Sequence, residues 1–227
     1  RGKFIKFAFS NFIFNNWKIK LDTIINISSF KNAINHIASP EIYIDNKKKK
    51  FYLLTHSHST THKGQWTYVS ESNNGLNFKV INDKPLAPFY LRVFKYNNFF
   101  YGVSKGGNLW KSNDLIKEFE PCQNLFDLSK SNDLLHNYDG AIRHVGLFVE
   151  NNTLYIFYSK IGDKPERIYY SRLILEVNDK NWKFTFETEL LRPTLDFEGA
   201  NLPLTKSKPG DTPFMENALR DPYLFKI

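Results

Sequence analysis

The chain has 227 residues, a net charge of +8 and 16% aromatic residues, with 21 Phe and 12 Tyr. It is long enough to bury one sizeable core, and its short runs of Ile, Phe, Tyr and Thr favour strands over helices. No segment reaches the roughly 18 to 20 apolar residues of a membrane-spanning helix, no N-terminal secretory pattern is present, and the lone Cys122 excludes an intrachain disulfide and a cysteine-based metal site.

In chain order, residues 4–10 and 12–20 read as outer strands of a sheet whose inner strand lies upstream of Arg1. Ser39-Pro40-Glu41-Ile42-Tyr43-Ile44-Asp45 then leads through a turn into Phe51-Tyr52-Leu53-Leu54-Thr55-His56. Lys47, Lys48, Lys49 and Lys50 sit at that turn, and a solvated hairpin tip explains them better than a nucleic-acid contact. The same phrase returns as Tyr90-Leu91-Arg92-Val93-Phe94-Lys95-Tyr96, Asn97-Asn98, Phe99-Phe100-Tyr101, and again as residues 142–149, Asn151-Asn152 and Leu154-Tyr155-Ile156-Phe157-Tyr158. Each copy has a polar lead-in, an apolar strand, a short Asn-rich or Lys-rich hairpin turn and an aromatic strand. A fourth copy begins at Leu219-Arg220-Asp221-Pro222-Tyr223-Leu224-Phe225.

Each copy continues outward: residues 66–71, then Asn74-Gly75-Leu76-Asn77-Phe78; residues 108–112, then Asn113-Asp114 and Phe119; residues 166–175, then 182–190. About four strands per repeat is the pattern of β-propeller blades. A plain β-sandwich, the alternative, has no reason to repeat this phrase. Helix is minor; residues 125–135 read as a loop with at most a short turn. The expected fold is therefore an all-β five-bladed propeller, with residues 1–227 as one domain that lacks a first inner strand and most of its last blade.

Several segments carry a resemblance: His36-Ile37-Ala38-Ser39-Pro40-Glu41, Phe89-Tyr90-Leu91-Arg92-Val93-Phe94, Arg143-His144-Val145, Ile161-Gly162-Asp163-Lys164-Pro165-Glu166-Arg167-Ile168, Glu198-Gly199-Ala200-Asn201-Leu202-Pro203 and Leu219-Arg220-Asp221-Pro222. As an ordered set they resemble uncharacterised bacterial members of the five-bladed glycosidase-like propeller superfamily. That superfamily is related to the family 43 arabinanases and β-xylosidases and to invertase-like and levansucrase-like enzymes. The resemblance implies an axial pocket at the inner-strand lead-ins and gives the fold more firmly than the reaction.

In such a fold the residues expected to converge are Glu41, Arg92, Arg143, His144, Arg220 and Asp221, with His36, His56, Glu166, Arg167 and Glu198 added from loops and strand ends. Glycoside hydrolysis needs two carboxyls, one protonated and one ionised. The catalytic candidates are Glu41, Asp221, Glu198 and Glu166; the substrate-binding candidates are His36, His56, Arg92, Arg143, His144, Arg167 and Arg220. Asp221 and Glu166 also read as members of internal ion pairs. The order of these carboxyls departs from that of the family 43 triad, and a first-blade aspartate is not assigned, because the first-blade inner strand is expected upstream of Arg1. Arginines near the carboxyls are expected to lower their pKa, so the proton donor is sought away from them, at Glu198 rather than Glu166.

His56, His58 and His62 resemble a zinc motif only superficially, because no acidic partner accompanies them. No metal or cofactor is expected. Trp66 reads as core or as a platform for a sugar face, and no nucleophile elbow or phosphate loop is present. The expected function is a glycoside-hydrolase-like protein acting on a carbohydrate. The alternatives are a non-catalytic carbohydrate-binding propeller and a protein-interaction scaffold. Neither nucleic acid nor membrane is an expected partner.

Overall fold

The computed structural model describes residues 2–11, 16–126, 140–210 and 215–225. Among them there are strands and single-turn 3-10 segments but no α-helix. Strands β1 (Phe4–Phe9) and β2 (Lys18–Asn26) form an antiparallel pair. A four-stranded sheet follows, β3 (Ala33–Asp45), β4 (Lys50–Ser59), β5 (Gln65–Ser72) and β6 (Lys79–Pro88), ordered as in the chain. The next is β7 (Arg92–Tyr96), β8 (Phe99–Ser104), β9 (Asn108–Ser112) and β10 (Glu120–Asn124). The last is β11 (Ile142–Glu150), β12 (Thr153–Lys160), β13 (Ile168–Ile174) and β14 (Thr188–Leu191). These four-stranded meanders are the blade units of a β-propeller.

Turn chemistry explains the inner hairpins. The Asp45 carboxylate accepts from the amides of Lys47 and Lys48, both at 3.0 Å, and Lys49 turns left-handed at φ 52. Asn97 (φ 51), Asn151 (φ 47) and Asn152 (φ 58) take the left-handed conformation at the other two turns, where asparagine is among the least penalised residues. On β12 burial alternates strictly from Leu154 to Tyr158, so Tyr155 and Phe157 point to the opposite face.

The chain divides into two compact units. Arg1–Val93 with Ser112–Glu120 forms the first, around Ile24, Phe30, Leu53 and Tyr68. Phe94–Lys111 with Pro121–Ile227 forms the second, around Tyr101, Leu154, Ile156, Tyr158 and Trp182.

A local device recurs at the inner-strand lead-ins. Ser39 (φ 49) lies two residues before Glu41, where pairing of β3 with β4 resumes after a register shift. Tyr90 (φ 62) lies two before Arg92, which opens β7, and Gly140 (φ 82) lies two before Ile142, which opens β11. Asp221 (φ 54) lies two before Tyr223. A left-handed residue bends the chain sharply, and for Ser, Tyr and Asp it costs roughly 1 kcal/mol.

Three expectations need correction. Residues 219–225 were expected to form an inner strand; no strand is assigned to them. Asp221 is bent, Pro222 has no N–H to donate, and the segment is held instead by a bridge between Glu166 and Ala218 and by the Leu219 amide donating to the Glu166 carbonyl at 2.9 Å. It passes so close to β11 that a Cβ at Gly146 would lie 2.7 Å from the Pro222 carbonyl oxygen. Residues 182–190 are also not one strand. Trp182 is drawn into the core and closes a 3-10 turn, its indole donating to the Glu176 carbonyl at 3.1 Å, and pairing begins only at Thr188. Among the described residues the second N-terminal strand starts at Lys18, with Asn16 and Trp17 outside it; residues 12–15 and most of 125–135 lie outside the described residues.

Candidate functional site

In the first unit the site grows from two lead-ins. The bend at Ser39-Pro40 turns Glu41 inward, where it is buried. Arg92, which follows the Tyr90 bend, sends its Nη1 to the Ser39 carbonyl at 3.3 Å and the Pro40 carbonyl at 3.4 Å. Its Nε stands 3.7 Å from Glu41 Oε2, close enough for Coulomb attraction and too far for a hydrogen bond. Burial pushes the Glu41 carboxyl up to about 7, outweighing the lowering by Arg92 and by the Val93 amide that donates to it. The expectation that arginines dominate here is thus reversed, because desolvation at this depth costs the anion more than one loosely placed guanidinium returns.

Around this end of the sheet lie His36 and His56, both buried, with ring centroids 5.6 Å apart. His56 also meets Tyr90 edge-on at 4.7 Å and Phe89 at 5.7 Å, and His36 meets His58 at 5.4 Å. Among the described residues no group of three His, Cys, Asp or Glu side chains is disposed to hold a metal ion. Trp66 is half-buried, its ring 4.5 Å from that of His62 and its indole donating to the Lys63 carbonyl.

The Glu41 shift has a direct consequence for stability. The folded value, about 7, exceeds the ordinary 4.5, so the stabilisation is complete below pH 4.5 and is lost as pH rises towards 7. The shift corresponds to about 3 kcal/mol. We expect the melting temperature to fall between pH 5 and 8, and Glu41→Gln, a neutral isostere, to remove most of that fall. An unchanged slope in the variant would show that Glu41 is not the titrating group.

The second unit holds another cluster, made from the dipeptides Arg143-His144 on β11 and Arg220-Asp221. Glu166 is completely buried between the two arginines, with Arg143 Nε 2.8 Å from Oε1 and Arg220 Nε 2.7 Å from Oε2. The Ser159 hydroxyl donates to Oε1 at 2.7 Å. Arg143 further reaches the Gly210 carbonyl at 3.2 Å and the Lys208 carbonyl, and Arg220 pairs with Glu216 at 2.6 Å. Beside this clasp, His144 Nδ1 lies 2.8 Å from Asp221 Oδ1. Lys105, in the 3-10 turn Lys105–Gly107, has its amine pushed down by burial and by Arg143.

Two candidates are engaged locally instead. Arg167 pairs with Glu189 at 2.9 Å and stands 3.7 Å from Asp163. Glu198 is exposed, and its Oε2 accepts from the amides of Thr194 and Leu195 at 2.9 and 3.0 Å. Those amides hold its carboxyl below the usual range, the opposite of what a proton donor needs. Gly199 beside it is fixed by its left-handed φ of 80 and by the Glu216 carbonyl oxygen, which occupies the space a Cβ would need.

The structure therefore brings Glu41 together with Arg92, and His36 with His56 on the same sheet, and it groups Glu166 with Arg143 and Arg220, beside which His144 meets Asp221. Sequence reasoning missed Ser159 and Lys105; the pair Gly106-Gly107 after Lys105 marked a tight turn but not its neighbour.

No protein-family model matches the chain. An uncharacterized protein of Acanthamoeba polyphaga mimivirus is 34% identical over 209 residues, covering 88% of this chain and 58% of the viral protein. The chain thus spans 58% of the length of that relative. Among solved structures, an endo-1,4-beta-xylanase from Bacteroides thetaiotaomicron superposes with a TM-score of 0.56 at 19% identity, over 86% of this chain and 66% of the xylanase. A GH43_1 enzyme from Xanthomonas citri complexed with xylotriose gives 0.54 at 13%, over 78% and 62%. A Bombyx mori GH32 beta-fructofuranosidase in complex with sucrose gives 0.52 at 17%, over 77% and 40%. At these identities the likeness is one of fold, and the fold is a β-propeller.

Proposed function

We propose that the protein is a carbohydrate-active, glycoside-hydrolase-like propeller in which Glu41 is the protonated carboxyl. The observation that carries this reading is a buried glutamate at an inner-strand lead-in whose pKa stands at about 7. A general acid needs its proton near neutrality, and burial is the usual way a fold supplies it. In this reading His36, His56 and Arg92, in the same unit as Glu41, bind the substrate. The ring is five-bladed and residues 1–227 belong to one propeller domain; the two-stranded β1–β2 sheet and the fourth left-handed lead-in at Asp221 support that count. Carbohydrate is the partner because sugar complexes occur among the solved relatives of this fold.

The test is turnover of a glycoside panel by the full-length protein. Glu41→Gln is expected to lower kcat by about 10²–10⁴-fold, the usual worth of a general acid. Turnover that survives this substitution excludes Glu41 as the acid. A second reading, a carbohydrate-binding propeller without catalysis, is favoured by one observation: Glu166 is fully committed to two arginines and Glu198 to backbone amides. Wild-type protein that binds sugars but turns none over would establish it.

A further inference from the structure

We infer that His62, on the loop between β4 and β5, is a sugar-contacting donor through its Nε2–H, and that Thr61 and Trp66 are the residues that position it. The choice of sugar as ligand rests on the carbohydrate reading above; the assignment of the donor atom does not. The loop is closed by the Ser59 amide donating to the Gly64 carbonyl at 3.0 Å, with Gly64 left-handed at φ 86. Within it the Ser59 hydroxyl oxygen accepts from the amides of Thr61 and His62, both at 3.1 Å. A hydroxyl oxygen has two lone pairs, and these amides fill them. Along its 3.1 Å contact with Thr61 Oγ1, Ser59 is therefore the donor. The acceptor that the loop offers to the Thr61 proton is His62 Nδ1, at 2.9 Å. Neutral imidazole has one N–H, so with Nδ1 accepting, the proton of His62 sits on Nε2.

The imidazole is held although the residue is exposed. Its ring lies 4.5 Å from that of Trp66, with the planes at 47°. Trp66 is half-buried against the core of the first unit, and its indole donates to the Lys63 carbonyl at 3.1 Å. The Thr60 amide ties the loop to the Asn32 carbonyl at 3.1 Å. An exposed side chain gains little from burial, so this bracing is not explained by packing. A polar group of fixed direction beside aromatic surface is what a ligand site needs. The loop stands at the same end of the sheet as Glu41. Leu54 pairs with Glu41 and Ser59 with Ala33, so the loop begins about 16 Å farther along β4 at the rise of a strand. A ligand that reaches both spans more than one sugar unit. Residues 59–66 also lie outside the segments that carry the family resemblance, so this contact belongs to the chain's own specificity. An uncharged N–H donor matches a hydroxyl or ring oxygen, and the adjoining rings match the C–H face of a sugar.

The experiment reads the histidine ring nitrogens of the full-length protein by NMR, first without ligand and then during titration with xylotriose and, separately, with sucrose. Without ligand, neutral His62 is expected as the Nε2–H tautomer, and Thr61→Val, which keeps the shape and loses the hydroxyl, is expected to raise the share of the Nδ1–H form. At least one sugar is expected to shift the His62 signals. His62→Phe keeps a ring against Trp66 and loses the donor. It is expected to weaken binding of that sugar about three- to tenfold, as loss of a hydrogen bond does, with the melting temperature unchanged. An Nδ1–H tautomer in the unliganded protein overturns the inference whatever the sugars do. So does a sugar that moves other signals and leaves those of His62 in place, or that binds His62→Phe as it binds the wild type; the carbohydrate reading then stands and this one falls. No change anywhere with either sugar at its highest soluble concentration overturns both. The Glu41 proposal is judged separately, by turnover.

Discussion

Glu166→Gln is expected to lower the melting temperature by on the order of 10 °C and to loosen residues 215–225. The substitution keeps the volume of the side chain and removes only its charge. Two guanidinium groups, at 2.8 and 2.7 Å, then lose the anion that compensates their burial. Breaking a buried ion pair from one side costs about 3–5 kcal/mol, and in a domain of this size each kcal/mol moves the midpoint by about 2–4 °C. The C-terminal segment is affected first, because Glu166 holds it through Arg220 as well as through its own backbone carbonyl. Thermal melts and limited proteolysis of the same variant check both parts. Replacing Glu166, Arg143 and Arg220 together by methionine is expected to restore much of the stability, since no uncompensated charge remains. A Glu166→Gln protein that melts like the wild type would show that the clasp contributes nothing.

Trp182→Ala is expected to cost about 3–5 kcal/mol, the range for deleting a buried aromatic side chain. Trp182 is 1% exposed, and its ring lies 4.7 Å from Tyr101, 5.6 Å from Tyr96 and 6.3 Å from Phe94. Its backbone carbonyl also receives Gln123 Nε2 at 3.1 Å, so the tryptophan ties a loop after β13 to the strand β10. Trp182→Phe separates the contributions. It keeps an aromatic ring in the core and loses the indole bond to Glu176, which is worth about 1 kcal/mol. If alanine and phenylalanine variants melt together, the cavity is not what sets the cost.

The fold was legible because its signals are local. An Asn-Asn turn between two apolar runs needs no distant partner to be recognised, and three hairpins stand where such turns or their lysine-rich equivalent predict them. The C-terminal copy was misread because the phrase alone cannot report whether a strand has a neighbour to pair with. The site was legible only as a set of residue types. That Arg143 and Arg220 both close on Glu166 depends on contacts 23 and 54 positions apart in the chain, which no spacing rule encodes. Glu41 was singled out for its place at a lead-in, but its proton affinity follows from burial, and adjacency in sequence to charged residues says nothing about depth. Glu198 carried a usable signal that went unread: a carboxylate three or four residues after Thr194 and Leu195 commonly reaches back to their amides.

The absent Cβ at position 146 also decides alignment. Side chains on one face of a strand recur at every second residue, so Phe148 shares the face of Gly146 on β11; on the other side the register shift between Ile142 and Val145 breaks the alternation, and there His144 meets Asp221 beside the tail. Were the tail to slide one step outward, the Pro222 carbonyl would meet a phenyl ring; one step inward, it would meet the imidazole that now contacts Asp221. A single glycine therefore works as a keyway. It admits the tail at one setting along β11, and that setting is the one at which Asp221 reaches His144.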